Sequence, residues 1–275
     1  MVECPAIEPA PAPERPAVAR PRPLHDLAAA VGFLTLLPVG RTWPEGETPR
    51  STGWYAWVGW LLGGSAALVL LVAQRWRGHW PVGGAMLAAA LVVAVWAVLT
   101  RFLHWDGLAD TFDGIWGGST PERRLEIMRD SRIGSFGAAA MLMVALLQVS
   151  AVADLLHAGT LWPIVAAPVL GRLAAAVAAW DLPAARREGL GLTVVGVSGT
   201  YERLLGAIAV LGLLAFLPLG VAPRTLLMVT AAGVFAALSV PRWLAKPVGG
   251  MTGDLFGATV LLVETAVLVV AAVVA

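Results

Sequence analysis

The chain of 275 residues is 58% hydrophobic and only 13% charged, with a formal net charge of +1 and a mean hydropathy of +0.77. That balance excludes an ordinary water-soluble core, and the lack of a basic domain argues against nucleic acid as a partner. Cys4 is the single cysteine, so neither an intrachain disulfide nor a cysteine metal cluster can form.

The first 23 residues, MVECPAIEPAPAPERPAVARPRP, hold seven prolines and no apolar run of the kind a signal peptide needs. Residues 1–23 therefore read as a disordered Pro/Ala-rich tail, and 24–275 as a single transmembrane domain. LAAAVGFLTLLPVG (27–40) is too short for a confident span and ends at Pro38 and Gly40, which suits an interfacial or re-entrant helix. Stretches with the roughly 17 to 25 apolar residues that a spanning helix needs fall at 54–73, 83–103, 134–153, 160–180, 204–221, 224–241 and 255–275. The expected fold class is all-α: a polytopic integral membrane helical bundle of about seven transmembrane helices plus the short N-terminal helix.

Cytoplasmic loops collect Lys and Arg. If the chain alternates sides, one side receives Arg15, Arg20, Arg22, Arg41, Arg50, Arg123, Arg124, Arg129, Arg132, Arg186, Arg187, Arg203, Arg242 and Lys246, and the other only Arg75, Arg77 and Arg224. Fourteen against three places the N-terminus and the segments 104–133, 181–203 and 242–254 in the cytoplasm. Every acid-rich or glycine-rich motif then lies on the face where phosphorylated metabolites are found.

HWDGLADTFDG (104–114) comes directly after one of the most apolar runs in the chain. On a helix, the steps from 106 to 110 and from 106 to 113 are about +40° and −20°, so Asp106, Asp110 and Asp113 share one narrow face. Three carboxylates that close repel one another unless a cation holds them, and hard oxygen ligands at this spacing suit magnesium or manganese. The competing reading is a solvated loop in which Gly107 and Gly114 break the helix and the aspartates cap the next helical segment.

GGSTPERRLEIMRDSRIGSFG (117–137) sets arginines beside these acids. Ser119 or Thr120 before Pro121 and Glu122 marks a helix start. Arg123, Arg124, Arg129 and Arg132 offer planar forks suited to phosphate oxygens; alternatively they fix topology or pair with Glu122, Glu126 and Asp130 at the surface. KPVGGMTGDLFGA (246–258) is a second polar island, with Lys246 and with Asp254 as either a ligand or a helix-terminal charge. Between them, Arg186, Arg187 and Glu188 read as surface charge, and Gly189 and Gly191 mark a loop.

Together, FLTLLPV (33–39), HWDGLADTFDG (104–114), LEIMRDSRIGSFG (125–137), EGLG (188–191) and GGMTGDLFGA (249–258) resemble the cobalamin synthase family, in its order and spacing, from about residue 24 to the C-terminus. Three positions depart from the family pattern. Leu36 stands where arginine is usual, which removes a candidate phosphate contact. Leu261 and then Glu264 replace a pair of acids three residues apart, and no proline stands near Val58.

The resemblance implies a transferase of the cytoplasmic (inner) membrane. It would join adenosylcobinamide-GDP to α-ribazole, or to α-ribazole 5′-phosphate, by magnesium-dependent phosphoryl transfer, with GMP leaving. In that scheme Asp106, Asp110 and Asp113 hold Mg2+, one of them or Asp130 serves as base, and Arg123, Arg124, Arg129, Arg132, Lys246 and Asp254 contact substrate. Two alternatives remain open at this stage. A CDP-alcohol phosphatidyltransferase also strings aspartates along a helix, but DGLADTFDG lacks the expected alanine-arginine pair. A cation-coupled transporter would use charges inside spans, of which only Arg101, Arg172 and Glu264 are present. Whether the chain works as a homo-oligomer is also left open.

Overall fold

A computed structural model describes residues 17–18, 20–39, 47–48, 50–75, 84–186, 194–196 and 199–275. Most of the 1–23 tail, Arg187 and the EGLG segment lie outside these residues. Ten α-helices are described: α1 (Pro23–Leu34), α2 (Tyr55–Arg75, preceded by a 3-10 turn at Ser51–Trp54), α3 (Gly84–Leu99), α4 (Leu103–Gly117), α5 (Pro121–Ile127), α6 (Ser135–His157), α7 (Trp162–Asp181), α8 (Thr200–Leu211, continued as 3-10 through Leu219), α9 (Pro223–Ala245) and α10 (Gly253–Val274). Strand pairing among the described residues is confined to a two-residue parallel ladder, Ala17–Val18 with Glu47–Thr48, and one bridge between Ala184 and Met251.

Six helices are long and apolar enough to cross a bilayer, and a seventh crossing is available if α3 and α4 count as one broken span. The chain is an integral membrane protein, and α1 is the expected short N-terminal helix. α7 is the central post, with 94% of its apolar stretch buried among α2, α9 and α10. α2 reaches it through Gly59 and Gly63, where an added Cβ would come within 2.5 Å of the Pro168 carbonyl oxygen and 2.7 Å of Val165. Such small-residue spacing lets two helix backbones approach where lipid supplies no hydrophobic drive. In the bundle interior Arg172 of α7 pairs with Glu264 of α10, each side chain 2% exposed. Two of the three charges read as lying inside spans thus neutralise each other.

The expected span 83–103 is corrected. Its helix stops at Leu99 and the chain turns by 89° into α4. The stop is a Schellman-type closure, in which Phe102 N–H donates to the Ala97 carbonyl at 2.7 Å and Arg101 N–H to Val98 at 2.9 Å. Arg101 (φ 53°) and Phe102 (φ 57°) both sit in the left-handed region without being glycine, at a cost of about 1–2 kcal/mol each. Arg101 is accordingly not a span charge. It is exposed at the bend and donates to the Gly32 carbonyl at 3.4 Å. Hydropathy could not reveal this, because Thr100–Leu103 is as compatible with a continuing helix as with a turn.

Candidate active site

The bend decides the fate of the aspartate motif. α4 runs unbroken through Gly107 and Gly114, so the reading in which these glycines break a helix is overturned. Gly107 instead meets α10. A Cβ there would lie 2.7 Å from the Asp254 carbonyl oxygen, and one at Gly257 would lie 3.2 Å from the His104 Cα and 3.3 Å from the Gly107 Cα. The two backbones touch at a point only glycine permits, which sets the first turn of α10 beside the acids of α4.

The cap of α10 belongs to Thr252, whose Oγ1 accepts from Leu255 N–H at 3.2 Å. Asp254 is therefore free of capping. Its carboxylate lies 3.7 Å from an Arg186 guanidinium nitrogen and accepts from the Thr252 hydroxyl at 3.3 Å. Among the described residues, the charges acting on Asp110 are Asp254, Asp106 and Asp113, all of like sign, with Arg186 as the one opposing cation. Asp254 also feels Asp106. Asp106 and Asp254 both line a cavity bounded by α1, α2, α4, α7 and α10. Among the described residues no three acids or imidazoles stand close enough to enclose a cation by themselves.

Asp113 has a different place. Its carboxylate, 8% exposed, accepts from Gly134 N–H at 2.7 Å and Gly137 N–H at 2.9 Å. α6 has no side-chain cap of its own, so an aspartate from α4 satisfies the donors at its start. Both Asp113 oxygens are thereby committed to joining α4 and α6.

The arginines divide in the same way. Thr120 caps α5 by accepting from Arg123 N–H at 3.2 Å, with Pro121 in the first turn, as the sequence indicates. Arg124 donates to the carbonyls of Gly118 (3.0 Å) and Pro247 (2.9 Å), stitching α5 to the loop before α10. Arg123 pairs with Glu126 at 2.7 Å on an exposed face, and Arg132 grips Asp130 through two nitrogens. That grip holds the Asp130 carboxyl down at about 2. Arg129 and Lys246 are exposed. Leu36, in the first motif, is tied by its N–H to the Leu99 carbonyl at 2.7 Å, and its side chain is 42% exposed.

Two site residues were not singled out from the sequence. Arg186, read as surface charge, donates to the Leu125 carbonyl at 2.8 Å and is the cation facing Asp254 and Asp110. Burial pulls its guanidinium below the ordinary value, while those two acids act the other way. His104 heads the aspartate motif, is 3% exposed, and makes no hydrogen bond through either ring nitrogen. Its place as the first residue of HWDGLAD, three residues before the glycine contact, was the available signal.

The family model described as Cobalamin-5-phosphate synthase matches residues 26–272. The chain is 41% identical over 249 residues, covering 88% of it and 96% of the relative, to a protein of Syntrophobacter fumaroxidans named adenosylcobinamide-GDP ribazoletransferase. It is 38% identical over 252 residues, covering 90% of it and 94% of the relative, to a protein of the same name from Bradyrhizobium diazoefficiens. No solved structure matches. With the match running from α1 to the last turn of α10 and taking in both acid-bearing helices, the chain belongs to the cobalamin-5-phosphate synthase family.

Proposed function

We propose that this protein joins adenosylcobinamide-GDP to α-ribazole or its 5′-phosphate by phosphoryl transfer, at the end of the bundle where α4 meets α10. An oxygen of the acceptor forms a bond to the cobinamide-side phosphorus, the bond from that phosphorus to the bridging oxygen breaks, and GMP leaves. The observation that carries this reading is the convergence of Asp106, Asp110 and Asp254, acids from two helices, with Arg186 as their one facing cation among the described residues. Uncompensated carboxylates at a shared point favour a substrate-borne or ionic counter-charge.

The donor set fits magnesium in the manner usual for that ion, which takes one or two carboxylates and completes its shell with water and substrate phosphate, not with an all-protein cage. One or two of Asp106, Asp110 and Asp254 would hold it. When bound, it would neutralise charge on the pyrophosphate oxygens. Arg186 faces the same point, and Arg129, whose charge is felt at Arg186, would steady the pyrophosphate. Arg123 and Arg132, each paired with an acid, and the exposed Lys246 are further candidates for contacts with the substrate. The proton of an attacking hydroxyl passes to the Asp106–Asp110–Asp254 group, because Asp130, held near 2, is a poor acceptor at neutral pH. Asp113 and Arg124 position the helices that carry this group. The active end faces the cytoplasm of the inner membrane, in line with the excess of Arg and Lys on that side.

The test is GMP release by detergent-solubilised protein given adenosylcobinamide-GDP, magnesium and α-ribazole. Release dependent on all three is expected. Release of CMP from a CDP-alcohol, or no nucleotide product at all, would overturn the reading.

A further inference from the structure

Arg186 follows α7, and backbone contacts with the loop before α10 fix its place. Ala185 N–H donates to the Met251 carbonyl at 2.9 Å, and Met251 N–H to the Pro183 carbonyl at 2.7 Å. Gly250 permits the approach, since a Cβ there would come within 2.6 Å of the Pro183 oxygen. The guanidinium has its own anchor, where Nη2 donates to the Leu125 carbonyl at 2.8 Å. Held in this way before the first turn of α10, the arginine brings Nη1 only to 3.7 Å from the Asp254 carboxylate. Every other ion pair among the described residues closes to 3.1 Å or less. Neither partner is sealed in, the Arg186 and Asp254 side chains being 17% and 23% exposed. The pair is close enough for charge to act and too long for a hydrogen bond to lock it.

We propose that Arg186 is an exchangeable counter-charge: it balances Asp254 in the free protein, yields that carboxylate to the divalent cation, and then serves a phosphate of the substrate. The inference rests on the ribazoletransferase reading above and on Asp254 as a ligand of that cation. A closed guanidinium–carboxylate pair is a strong contact, and it would have to break before the carboxylate could ligate. An unlocked pair avoids that step. Anchored at Leu125 and by the backbone of 183–185, the guanidinium stays in place once Asp254 is taken, and its charge then acts on an anion beside the cation. Planar forks of this kind suit phosphate oxygens. One charge thus has opposite effects on two partners, opposing the cation in the free protein and attracting the phosphate during reaction. Its removal should tighten metal binding and slow the reaction, a combination that loss of a merely structural residue does not produce.

The experiment measures Mn2+ binding to the substrate-free protein in detergent, from the loss of the free-ion electron paramagnetic resonance signal, with Mn2+ standing in for Mg2+ on the same oxygen ligands. Arg186→Gln keeps an N–H donor for the Leu125 carbonyl and drops the charge. It should bind Mn2+ about tenfold more tightly than the wild-type protein, and should lose about 100-fold in kcat/KM for adenosylcobinamide-GDP at saturating magnesium. Arg186→Lys keeps the charge without the planar fork and should bind Mn2+ as the wild-type protein does, with an intermediate rate. Arg186→Met is a second neutral variant, so the comparison survives if one of them does not fold. Mn2+ binding that is unchanged or weaker in the folded neutral variants, or tightened equally in Arg186→Lys, would overturn the proposal, as would wild-type kcat/KM in Arg186→Gln. Absence of any ribazole-dependent GMP release by the wild-type protein would instead overturn the functional reading beneath it. The binding measurement uses no substrate and still decides whether Arg186 opposes the cation.

Discussion

Two charged clusters occupy the same end of the bundle and are built on opposite principles. At the junction of α1, α2 and α8, Asp26 accepts from the backbone N–H groups of Arg22 (2.8 Å) and Arg50 (3.3 Å). Glu202, fully buried, is gripped by Arg50 through two nitrogens. Arg50 also lies over the Tyr201 ring at 5.5 Å, and Tyr201 accepts from Trp54 Nε1–H at 3.2 Å. At the junction of α4 and α10, by contrast, Asp106, Asp110 and Asp254 have among the described residues a single facing arginine, Arg186, which lies 3.7 Å from the Asp254 carboxylate. Where each carboxylate is met by hydrogen-bond donors, as Asp26 and Glu202 are, residues hold the fold together. Where like-charged carboxylates crowd without such donors, the structure carries an unmet electrostatic demand, and that lack separates a site from a joint better than the mere presence of acids.

The contrast breaks most visibly at Asp110. Asp110→Asn should lower GMP release at least about 100-fold, the scale of losing one preorganised charge-stabilising group, while thermal melting in detergent stays equal or rises because like-charge repulsion is relieved. A fall in melting temperature matching the loss of activity would place Asp110 with the joints. Asp254→Asn should also depress the rate, and should raise the magnesium concentration needed for half activity. An unchanged magnesium dependence would exclude it as a ligand.

The hydrogen-bonded cluster should behave in reverse. Glu202→Ala strands Arg50 and is expected to cost about 3–5 kcal/mol of stability, read as a large drop in melting temperature, with activity normal in the fraction that remains folded. Asp113→Asn retains one acceptor oxygen and should cost about 1–2 kcal/mol, with the magnesium dependence unaltered. A shifted magnesium requirement there would return Asp113 to the ligand set that its register with Asp106 and Asp110 suggests.

The smallest effect is expected at Asp130. Its folded-state value, near 2, is depressed below the ordinary carboxylate range, so the ion pair with Arg132 is intact at and above that range and weakens only as pH falls toward 2. Asp130→Asn should leave both the rate and the pH profile between about 5 and 8 within about twofold. A lost limb in that window would make Asp130 the base.

The helices were legible because their apolar stretches are long, and Thr120–Pro121 announced α5 through cap chemistry alone. The 3.6-residue period placed three aspartates on one face, and α4 is indeed helical through all of them. What the period could not supply was the partner of each. Asp113 differs from Asp110 only because the backbone of α6 begins beside it, and Asp254 joins the acids of α4 only because Gly107 and Gly257 let two backbones meet. Arg186 and Glu202 were overlooked for the same reason: each acquires its role from a residue dozens to more than a hundred positions away.

The ion pair between Arg172 and Glu264 also has a consequence for how the chain is made. Synthesis proceeds from the N-terminus, so Arg172 enters the bilayer on α7 well before α10, which brings the neutralising carboxylate, has been translated. Until then α7 carries an unpaired guanidinium in a helix destined for the centre of the bundle, an arrangement that hydrocarbon strongly disfavours. Its final insertion is therefore coupled to the arrival of α10. A ribosome stalled before residue 264 should hold a chain whose central helix is still exposed to extraction by alkali or to membrane-protein quality control, and release of the full chain should end that vulnerability in one step.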